Sequence, residues 1–299
     1  MNHIAVITKN HTNPAYGGAL VGARHVASLH GLEIRHSAPT IPDDVQQQCD
    51  LVRSALTSRP SAIVLLPVHA TGVNAAIREV NEARVPLFMF VSEPTEGRWI
   101  TYVGTDSQRM AYDLALRLLA SLPTDAHVAI VDGHPGSITT PERHLGFEQA
   151  LCRYPSMRMV GSICGQYQEA PARDAMRSLL KHQARLDGVL VANDLMAIGV
   201  LQALDEADRR AAIVSINGTP DAIRQVRLGR LVATASFNTH RFGCLSVEAA
   251  ARHLRGEKVP GRIVLPADIV QASNAAEWDV PYESRIPPDW ATTVAAHTA

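Results

Sequence analysis

The fold of this chain is decided by the stretch at residues 4–27, which reads IAVITKNHTNPAYGGALVGARHVA. Residues 4–8 form a short apolar run that predicts a buried strand. Asn13 followed by Pro14 is a strong helix-start signal, because asparagine caps free N–H groups and proline fits the first helical position. The apolar face of that helix carries Tyr16, Leu20, Ala23 and Ala27. The stretch therefore predicts one strand followed by one helix.

Apolar segments of strand length recur through the rest of the chain. They occupy residues 32–34, 62–68, 87–91, 128–131, 157–163, 189–192, 211–216 and 231–235, with shorter pieces at 100–103, 263–265 and 269–271. Helical patterns begin near residues 43, 71, 106, 139, 170, 194, 219 and 239. Strands that alternate with helices predict parallel sheets. A chain of 299 residues with this many strands exceeds one comfortable hydrophobic core, so we expect two α/β lobes.

The passage between the lobes is predicted at residues 92–104, where the strand–helix rhythm breaks. A long helical pattern at 239–255 followed by late strands indicates that the chain returns to the first lobe and then crosses again. The expected first lobe comprises residues 1–104 and 238–266, and the expected second lobe comprises residues 105–237 and 267–299. The predicted class is α/β, with two Rossmann-like lobes built on parallel central sheets and joined by several hinge strands.

Composition and motifs exclude several classes of function. With 28 Lys+Arg against 29 Asp+Glu and a net charge of -1, the chain lacks the basic footprint of a nucleic-acid binder. No Gly-x-Gly-x-x-Gly follows the first strand, and there is no P-loop, no Gly-x-Ser-x-Gly elbow and no His-Glu-x-x-His helix. We therefore predict no catalytic residues, no metal, no cofactor and no nucleic-acid partner.

The sequence leaves the location of the chain open. Its apolar runs are strand-sized, well short of the roughly 20 residues that span a bilayer. The first strand follows Met1 almost at once, without the charged and apolar regions of a signal peptide. The chain is then either cytoplasmic or the mature form of an exported protein whose signal has been replaced by Met1.

Polar side chains follow several of the predicted strands. In parallel sheets, ligands bind beyond the carboxyl ends of the strands, so these side chains are the candidate site. They are Asn13, Tyr16, Ser92, Glu93, Arg143, Asn193 and Asn217. Amide, carboxylate and guanidinium groups hold hydroxyls that both donate and accept, and an aromatic ring covers a C–H face. The set therefore suits a polyhydroxylated ligand.

Each of these residues also has a purely structural interpretation. Asn13 and Asp194 would serve as N-caps in any protein, and Tyr16 could be a core residue. Arg143 could form a surface ion pair with Glu142. Ser92 and Glu93 begin an irregular loop, where polar residues are expected, and Asn217 could belong to an ordinary strand-end turn. Their common position at strand ends is what favours binding.

At these residues the chain resembles the sugar-binding type I periplasmic binding proteins, the ribose-binding-like solute receptors of ABC importers. The resemblance covers nearly the whole chain, and its most specific string is Asn-Asp-Leu-Met-Ala-Ile-Gly at 193–199. The other matching segments are residues 4–14, residues 135–147 with Arg143, residues 217–221, residues 233–235 and residues 256–270.

The resemblance implies a receptor whose lobes, joined by a three-strand hinge, close over one sugar in the cleft between them. Carried over by position, Asn13 and Tyr16 contact the ligand from the first lobe, Arg143 and Asn193 from the second, and Gln166 or Tyr167 caps the pocket. It further implies a monomer in the periplasm, whose closed form is recognised by the membrane subunits of an ABC permease.

The chain departs from the ribose-binding pattern at the strand ends. Ser92 and Glu93 replace an Asp-Arg pair, Asn217 replaces an aspartate, and Phe237 replaces a glutamine. At two strand ends the side chains that bind sugar hydroxyls are therefore less strongly charged, and a third strand end gains an apolar ring. We therefore expect another monosaccharide, a deoxy sugar or a sugar alcohol rather than ribose or galactose.

Three other functions compete with this one. The same fold serves as the effector domain of lactose-repressor-like regulators, which place a helix-turn-helix before the first strand, and the sequence has none there. An enzyme on two Rossmann-like lobes would need a nucleophile–base pair or a cofactor loop, and neither emerges. A sugar sensor for a signalling partner would carry an indistinguishable binding module.

Overall fold

The computed structural model describes residues 2–297, which divide into two compact units. The first unit holds the residues up to 105, residues 238–265 and the residues from 281 onward, and the second holds residues 106–237 and 266–280. The expected boundaries assigned residues 267–299 to the second lobe, whereas the segment from 281 onward packs with the first unit. The chain thus passes between the units a fourth time, at residues 280/281. Residues 1, 298 and 299 lie outside the described part.

The described residues contain twelve strands: β1 His3–Ile7, β2 Glu33–Ser37, β3 Ala62–Leu65, β4 Leu87–Phe90, β5 Thr101–Gly104, β6 His127–Asp132, β7 Arg158–Cys164, β8 Gly188–Val191, β9 Ala212–Ile216, β10 Ala233–Ser236, β11 Arg262–Val264 and β12 Asp268–Gln271. Every strand predicted from an apolar run is present, although several bounds shift. Apolar runs predict these strands well because a strand covered on both faces is apolar throughout, as in the fully buried β3, β4 and β8.

The same residues contain eleven α-helices: α1 Pro14–Leu29, α2 Val45–Thr57, α3 Asn74–Glu82, α4 Ser107–Leu119, α5 Thr139–Leu151, α6 Glu169–His182, α7 Asp194–Glu206, α8 Pro220–Arg227, α9 Thr239–Leu254, α10 Ala275–Trp278 and α11 Trp290–His297. The first nine match the predicted helical patterns. The sequence did not predict α10, α11 or the 3-10 turn at Tyr282–Ser284. None of the helices within residues 2–297 has the length and apolar character needed to cross a membrane.

The two units are built on sheets of the same strand order. The first sheet runs β11-β5-β4-β3-β1-β2, with every pairing parallel. The second runs β12-β10-β9-β8-β6-β7, with only β12 antiparallel to its neighbour β10. In each, the first strand of the unit lies between the second and third, which confirms that one architecture is used twice. Each sheet therefore gathers the carboxyl ends of its parallel strands along one edge.

Helices cover the sheet of the first unit. Val52 of α2 and Ile77 of α3 pack in one cluster with Ile7, Ile63 and Leu65 from the central strands, and all five side chains are buried. On α1 and α9, small residues form the closest helix–helix contact of this unit: a Cβ added to Gly243 would lie 1.9 Å from the carbonyl oxygen of Ala19. These two helices consequently pack backbone to backbone.

The segment from residue 281 onward is fixed to the first unit by aromatic side chains. The ring of Tyr282 fills the space beside Gly18 of α1, where an added Cβ would lie 2.6 Å from ring carbons. Arg252 of α9 places its guanidinium 5.2 Å from the ring centroid of Trp290, the first residue of α11. A side chain at Gly18 would therefore displace the segment from α1.

Gly243→Ala is expected to lower the free energy of unfolding by about 1–3 kcal/mol, because its Cβ would overlap the Ala19 carbonyl and push α9 away from α1. The better helix propensity of alanine, worth about 1 kcal/mol, only partly offsets this overlap. Urea unfolding followed by circular dichroism measures the change. The matched control is Gly17→Ala on α1, where an added Cβ meets nothing within 4 Å and the same propensity gain should appear alone. Equal effects of the two substitutions would contradict the close contact.

Candidate functional site

In the first unit, Asn13 and Tyr16 lie where the chain leaves β1 and enters α1. The Asn13 side chain is the N-cap of α1, accepting a 3.0 Å hydrogen bond from the Ala15 N–H. Its own backbone N–H donates to Oδ1 of Asn10 at 3.0 Å. Tyr16 is half-buried on the first turn of the helix. The structural interpretation of Asn13 therefore holds, and its side-chain oxygen is engaged by the first turn of α1.

Ser92 follows β4 through a strained turn. Val91 has a φ of 65°, and the Ser92 N–H donates back to the Phe90 carbonyl at 2.8 Å, which is the pattern of a γ-turn. A β-branched residue in this region is a genuine outlier, so the surrounding contacts must hold it. One of them is the Tyr102 hydroxyl, which donates to the Val91 carbonyl at 3.0 Å. The turn buries the Ser92 hydroxyl without a hydrogen-bond partner among the described residues.

Glu93 is engaged by residues that are distant in sequence. Its Oε1 accepts a 3.0 Å hydrogen bond from the indole of Trp99, and its Oε2 pairs with the guanidinium of Arg262 on β11. Arg262 also lies 4.5 Å from the ring centroid of Tyr102. The carboxylate that we expected to bind ligand hydroxyls is therefore held by an ion pair and an indole at the edge strand of its own sheet.

In the second unit, the predicted residues follow neighbouring strands of one sheet. Tyr167 comes after β7, Arg143 lies on the helix after β6, Asn193 follows β8, Asn217 follows β9 and Phe237 follows β10. The strand order β7-β6-β8-β9-β10 places all of them along one edge. Tyr167, Arg143, Asn193 and Phe237 are joined by the direct contacts described next.

Arg143 is the centre of this group. Its side chain is buried, with only 4% of the residue exposed. The guanidinium carbon lies 5.8 Å from the ring centroids of both Tyr167 and Phe237. Nη1 donates to the carbonyl of Ala192, directly after β8, whereas Nε is buried with no partner among the described residues. The surface ion pair with Glu142, considered from the sequence, is wrong: no carboxylate of the described residues pairs with Arg143.

Tyr167 owes its position to a tight turn. Gln166 and Tyr167 both adopt positive φ, 56° and 57°, and the Gln168 N–H donates to the Gly165 carbonyl at 2.9 Å, as in a type I′ turn. The Tyr167 hydroxyl bonds to Thr139 Oγ1 at 2.9 Å. Beneath the ring lies Gly133, where an added Cβ would be 2.0 Å from the ring. The ring is thus fixed in place and buried, while the Gln166 side chain is exposed and shares in none of these contacts.

Asn193 caps α7 and touches the same turn. Its Oδ1 accepts from the Met196 N–H at 2.9 Å, and its Nδ2 donates to the Tyr167 carbonyl at 3.3 Å. Asp194, considered from the sequence as the cap, is instead the first residue of the helix. Its carboxylate is fully buried and accepts hydrogen bonds from Ser215, Thr219 and Thr234. Burial raises the pKa of Asp194, and these hydrogen bonds act in the opposite direction.

Asn217 and Phe237 complete the edge. Asn217 has a φ of 142°, and its backbone N–H donates to the Ala235 carbonyl at 2.9 Å. Asn217 is 5% exposed. Phe237 is 3% exposed and presents its ring to Arg143. The chain bends at Asn217, in agreement with the strand-end turn predicted there.

Sequence reasoning missed the residues that support this group. Thr139 anchors the Tyr167 hydroxyl, Gly133 leaves room for its ring, and Val91 forms the strained turn before Ser92. A glycine directly after a buried strand was a weak available signal for close packing. No signal in the sequence indicated the turn at Val91, because valine is typical of strands.

His144, next to Arg143 on α5, lies in a separate ionic cluster. Its Nδ1 is 3.0 Å from Asp132 and its Nε2 is 3.3 Å from Glu148. Burial lowers the pKa of His144, but the two carboxylates outweigh burial and the net shift is upward. The charged imidazolium is therefore favoured in the folded state. Its stabilisation is fully present below the ordinary histidine pKa and is lost as the pH rises through the raised value.

His144→Gln is expected to lower the free energy of unfolding by about 0.5–1 kcal/mol near pH 5.5, the scale of partly exposed ion pairs. Near pH 8.5 the same substitution should have a smaller effect, because the wild-type imidazole is then neutral. Urea unfolding at the two pH values gives the difference. The exposed His182 provides the control His182→Gln, for which no pH-dependent difference is expected. An equal loss at both pH values for His144→Gln would show that the charge contributes nothing.

The chain matches the family model for the periplasmic binding protein domain over residues 4–258, and it belongs to that family. This is a family of binding proteins, which confirms the prediction that the chain is a receptor rather than an enzyme. The family assignment also confirms the resemblance found from the residues at the strand ends.

Relatives of known description extend the comparison. The ribose import binding protein RbsB of Escherichia coli (strain K12) is 27% identical over 216 residues, which are 72% of this chain and 72% of that protein. A D-apiose import binding protein of Actinobacillus succinogenes is 26% identical over 235 residues, 78% of this chain and 75% of that protein. A crystal structure of an ABC transporter periplasmic solute binding protein from Actinobacillus succinogenes with bound D-allose has a TM-score of 0.87 at 21% identity, covering 93% of this chain and 100% of that chain. The last comparison establishes the shared fold.

Proposed function

We propose that this chain is the solute-binding receptor of a carbohydrate ABC importer and binds a monosaccharide or a sugar alcohol. The observation that carries the proposal is the buried Arg143, whose guanidinium is held between the rings of Tyr167 and Phe237 at the carboxyl edge of the second sheet. Its planar N–H groups can bind adjacent hydroxyls, and the rings can cover an apolar C–H face. The descriptions of the ribose and D-apiose import proteins support the same class of ligand.

The remaining members of the proposed site are polar groups that a sugar can engage. Asn217 offers a side-chain amide in a nearly buried position, and Ser92 offers a buried hydroxyl without a partner among the described residues. Asn13 and Asn193 cap their helices with the side-chain oxygen, so their amide N–H groups and the Tyr16 hydroxyl would serve as donors, and Gln166 would lie at the margin. Glu93 is the weakest candidate, because Arg262 and Trp99 already occupy its carboxylate.

The setting follows from the proposed function. A receptor of this kind works in the periplasm as a monomer and delivers its sugar to the membrane subunits of an ABC permease. Binding shifts the population of receptor conformations toward the form that the permease recognises. A sugar sensor for a signalling partner would use the same site, and reconstitution of uptake with the cognate permease separates the two roles.

A thermal-shift screen tests the proposal, using pentoses, hexoses, deoxy sugars and polyols, with amino acids and nucleosides as outgroups. A ligand at about 100 times its Kd stabilises the folded state by about 2.7 kcal/mol, which raises Tm by several degrees. We expect a shift from at least one sugar or polyol, confirmed by calorimetric titration. A response confined to an amino acid or a nucleoside would overturn the proposal.

A further inference from the structure

Arg143 is a buried cation whose bonding capacity is largely unused. A guanidinium carries five N–H donors. Among the described residues its single hydrogen-bond acceptor is the Ala192 carbonyl, and Nε is buried with no acceptor. An isolated charge removed from water is costly unless it is paired. The described residues of the second unit therefore supply no anionic partner for this side chain.

The carboxylates along the same edge are committed elsewhere. Asp132, at the end of β6, accepts from His144 and from the Ser162 hydroxyl. Asp194, at the start of α7, is surrounded by hydroxyl and N–H donors from Ser215, Thr219 and Thr234. No ion pair among residues 2–297 includes Arg143. The charge is thus uncompensated by the protein.

The side chains that surround Arg143 are neutral. Tyr167 and Phe237 offer ring faces, which attract a cation but accept no hydrogen bond along its N–H directions. Along the same edge of the sheet, Asn193 and Asn217 offer amides rather than acids. The described groups of the second unit that contact this arginine therefore include no carboxylate.

We infer that the natural ligand is an anionic sugar derivative, a sugar acid whose carboxylate pairs with Arg143. A carboxylate matches the guanidinium fork with two parallel charge-assisted hydrogen bonds, which are stronger than bonds from neutral hydroxyls. The hydroxyls of the same ligand would bind the amides of Asn193 and Asn217. This inference rests on the proposed function and specifies its ligand as the carboxylate derivative of a monosaccharide or sugar alcohol.

Matched ligand sets at constant ionic strength test the inference. Calorimetric titration compares D-ribose, ribitol and D-ribonate, then D-xylose, xylitol and D-xylonate, then D-glucose, D-glucitol, D-gluconate and D-glucuronate. We expect one acid to bind on the order of 100-fold more tightly than its neutral counterparts, the range for a desolvated charge pair. Acetate and chloride are the anion controls, and neither should compete.

A variant identifies the group that recognises the acid. Arg143→Gln keeps hydrogen-bond donors but removes the charge, so the ratio of acid to neutral affinity should fall to about 1. The control Arg153→Gln, at an exposed position just after α5, should leave the ratio unchanged. The ratio of acid to neutral affinity is also measured on the wild-type protein, so the inference can be tested even if Arg143→Gln does not fold. Tight binding of a neutral sugar with no gain for its acid would overturn this inference while leaving the proposed function standing. Binding of neither class would overturn both.

Discussion

Arg143→Met is expected to stabilise the unliganded protein by about 1–3 kcal/mol while weakening ligand binding by on the order of 100-fold or more. Methionine has a similar length and carries no charge to desolvate. It can pack against Tyr167 and Phe237, whose rings lie 5.8 Å from the guanidinium carbon. The Ala192 carbonyl loses its donor, which offsets part of the gain. A gain in stability together with a loss of affinity would mean that Arg143 is retained for binding although it destabilises the folded protein.

Urea unfolding of the ligand-free proteins and calorimetric titration measure the two effects separately. Arg143→Ala is the companion variant: it removes the same charge but leaves a cavity, so it should lose binding without gaining stability. The exposed Arg153→Met provides the matched control, with affinity unchanged and stability altered by less than about 0.5 kcal/mol. If Arg143→Met unfolded more easily than wild type, Arg143 would be a structural contact. If its affinity were unchanged, Arg143 would not belong to the binding site.

The strands and the first nine helices could be predicted from the sequence because their signals are local. Parallel strands covered on both faces read as continuous apolar runs, so β3 and β8 are visible without any structure. Helix starts are encoded by capping residues, as in Asn13 before Pro14 and Thr219 before Pro220. The segment from residue 281 onward has no such periodicity. Its attachment depends on Tyr282 beside Gly18 and Trp290 beside Arg252, contacts between residues far apart in sequence.

The sequence indicated where the candidate site lies but not which contacts its residues make. The rule that ligands bind at strand ends placed Arg143, Asn193 and Phe237 on one edge, and the fold brings them together. The acceptor of Arg143 is a backbone carbonyl, and no residue type reports which carbonyl faces a guanidinium. Likewise, Glu93 and Arg262 are separated by 169 positions, so only the parallel sheet reveals their ion pair.

Asp194→Ala is expected to lower the free energy of unfolding by about 3–5 kcal/mol, the largest stability effect among these substitutions. The buried carboxylate accepts four hydrogen bonds of 2.5–3.0 Å, from the Ser215 hydroxyl, the Thr234 hydroxyl, and the N–H and hydroxyl of Thr219. Alanine leaves each of these donors in an apolar interior where water cannot replace the lost acceptor. Every such orphaned group costs about 1–3 kcal/mol, reduced where a hydroxyl can rotate to another acceptor.

The loss should also reach the binding site, because the network supports the turn that carries Asn217. Thr234 accepts from the Gly218 N–H at 3.1 Å, and Thr219 caps α8, so both neighbours of the turn are tied to Asp194. We therefore expect weaker ligand binding in Asp194→Ala even at temperatures where the variant remains folded. Urea unfolding gives the stability change, and titration at low temperature gives the affinity.

Asp174→Ala is the control, since that carboxylate is 65% exposed and should contribute less than about 1 kcal/mol. A loss in Asp194→Ala no larger than in this control would mean that the hydroxyls find other acceptors, and that the turn at Asn217 is held by the sheet alone.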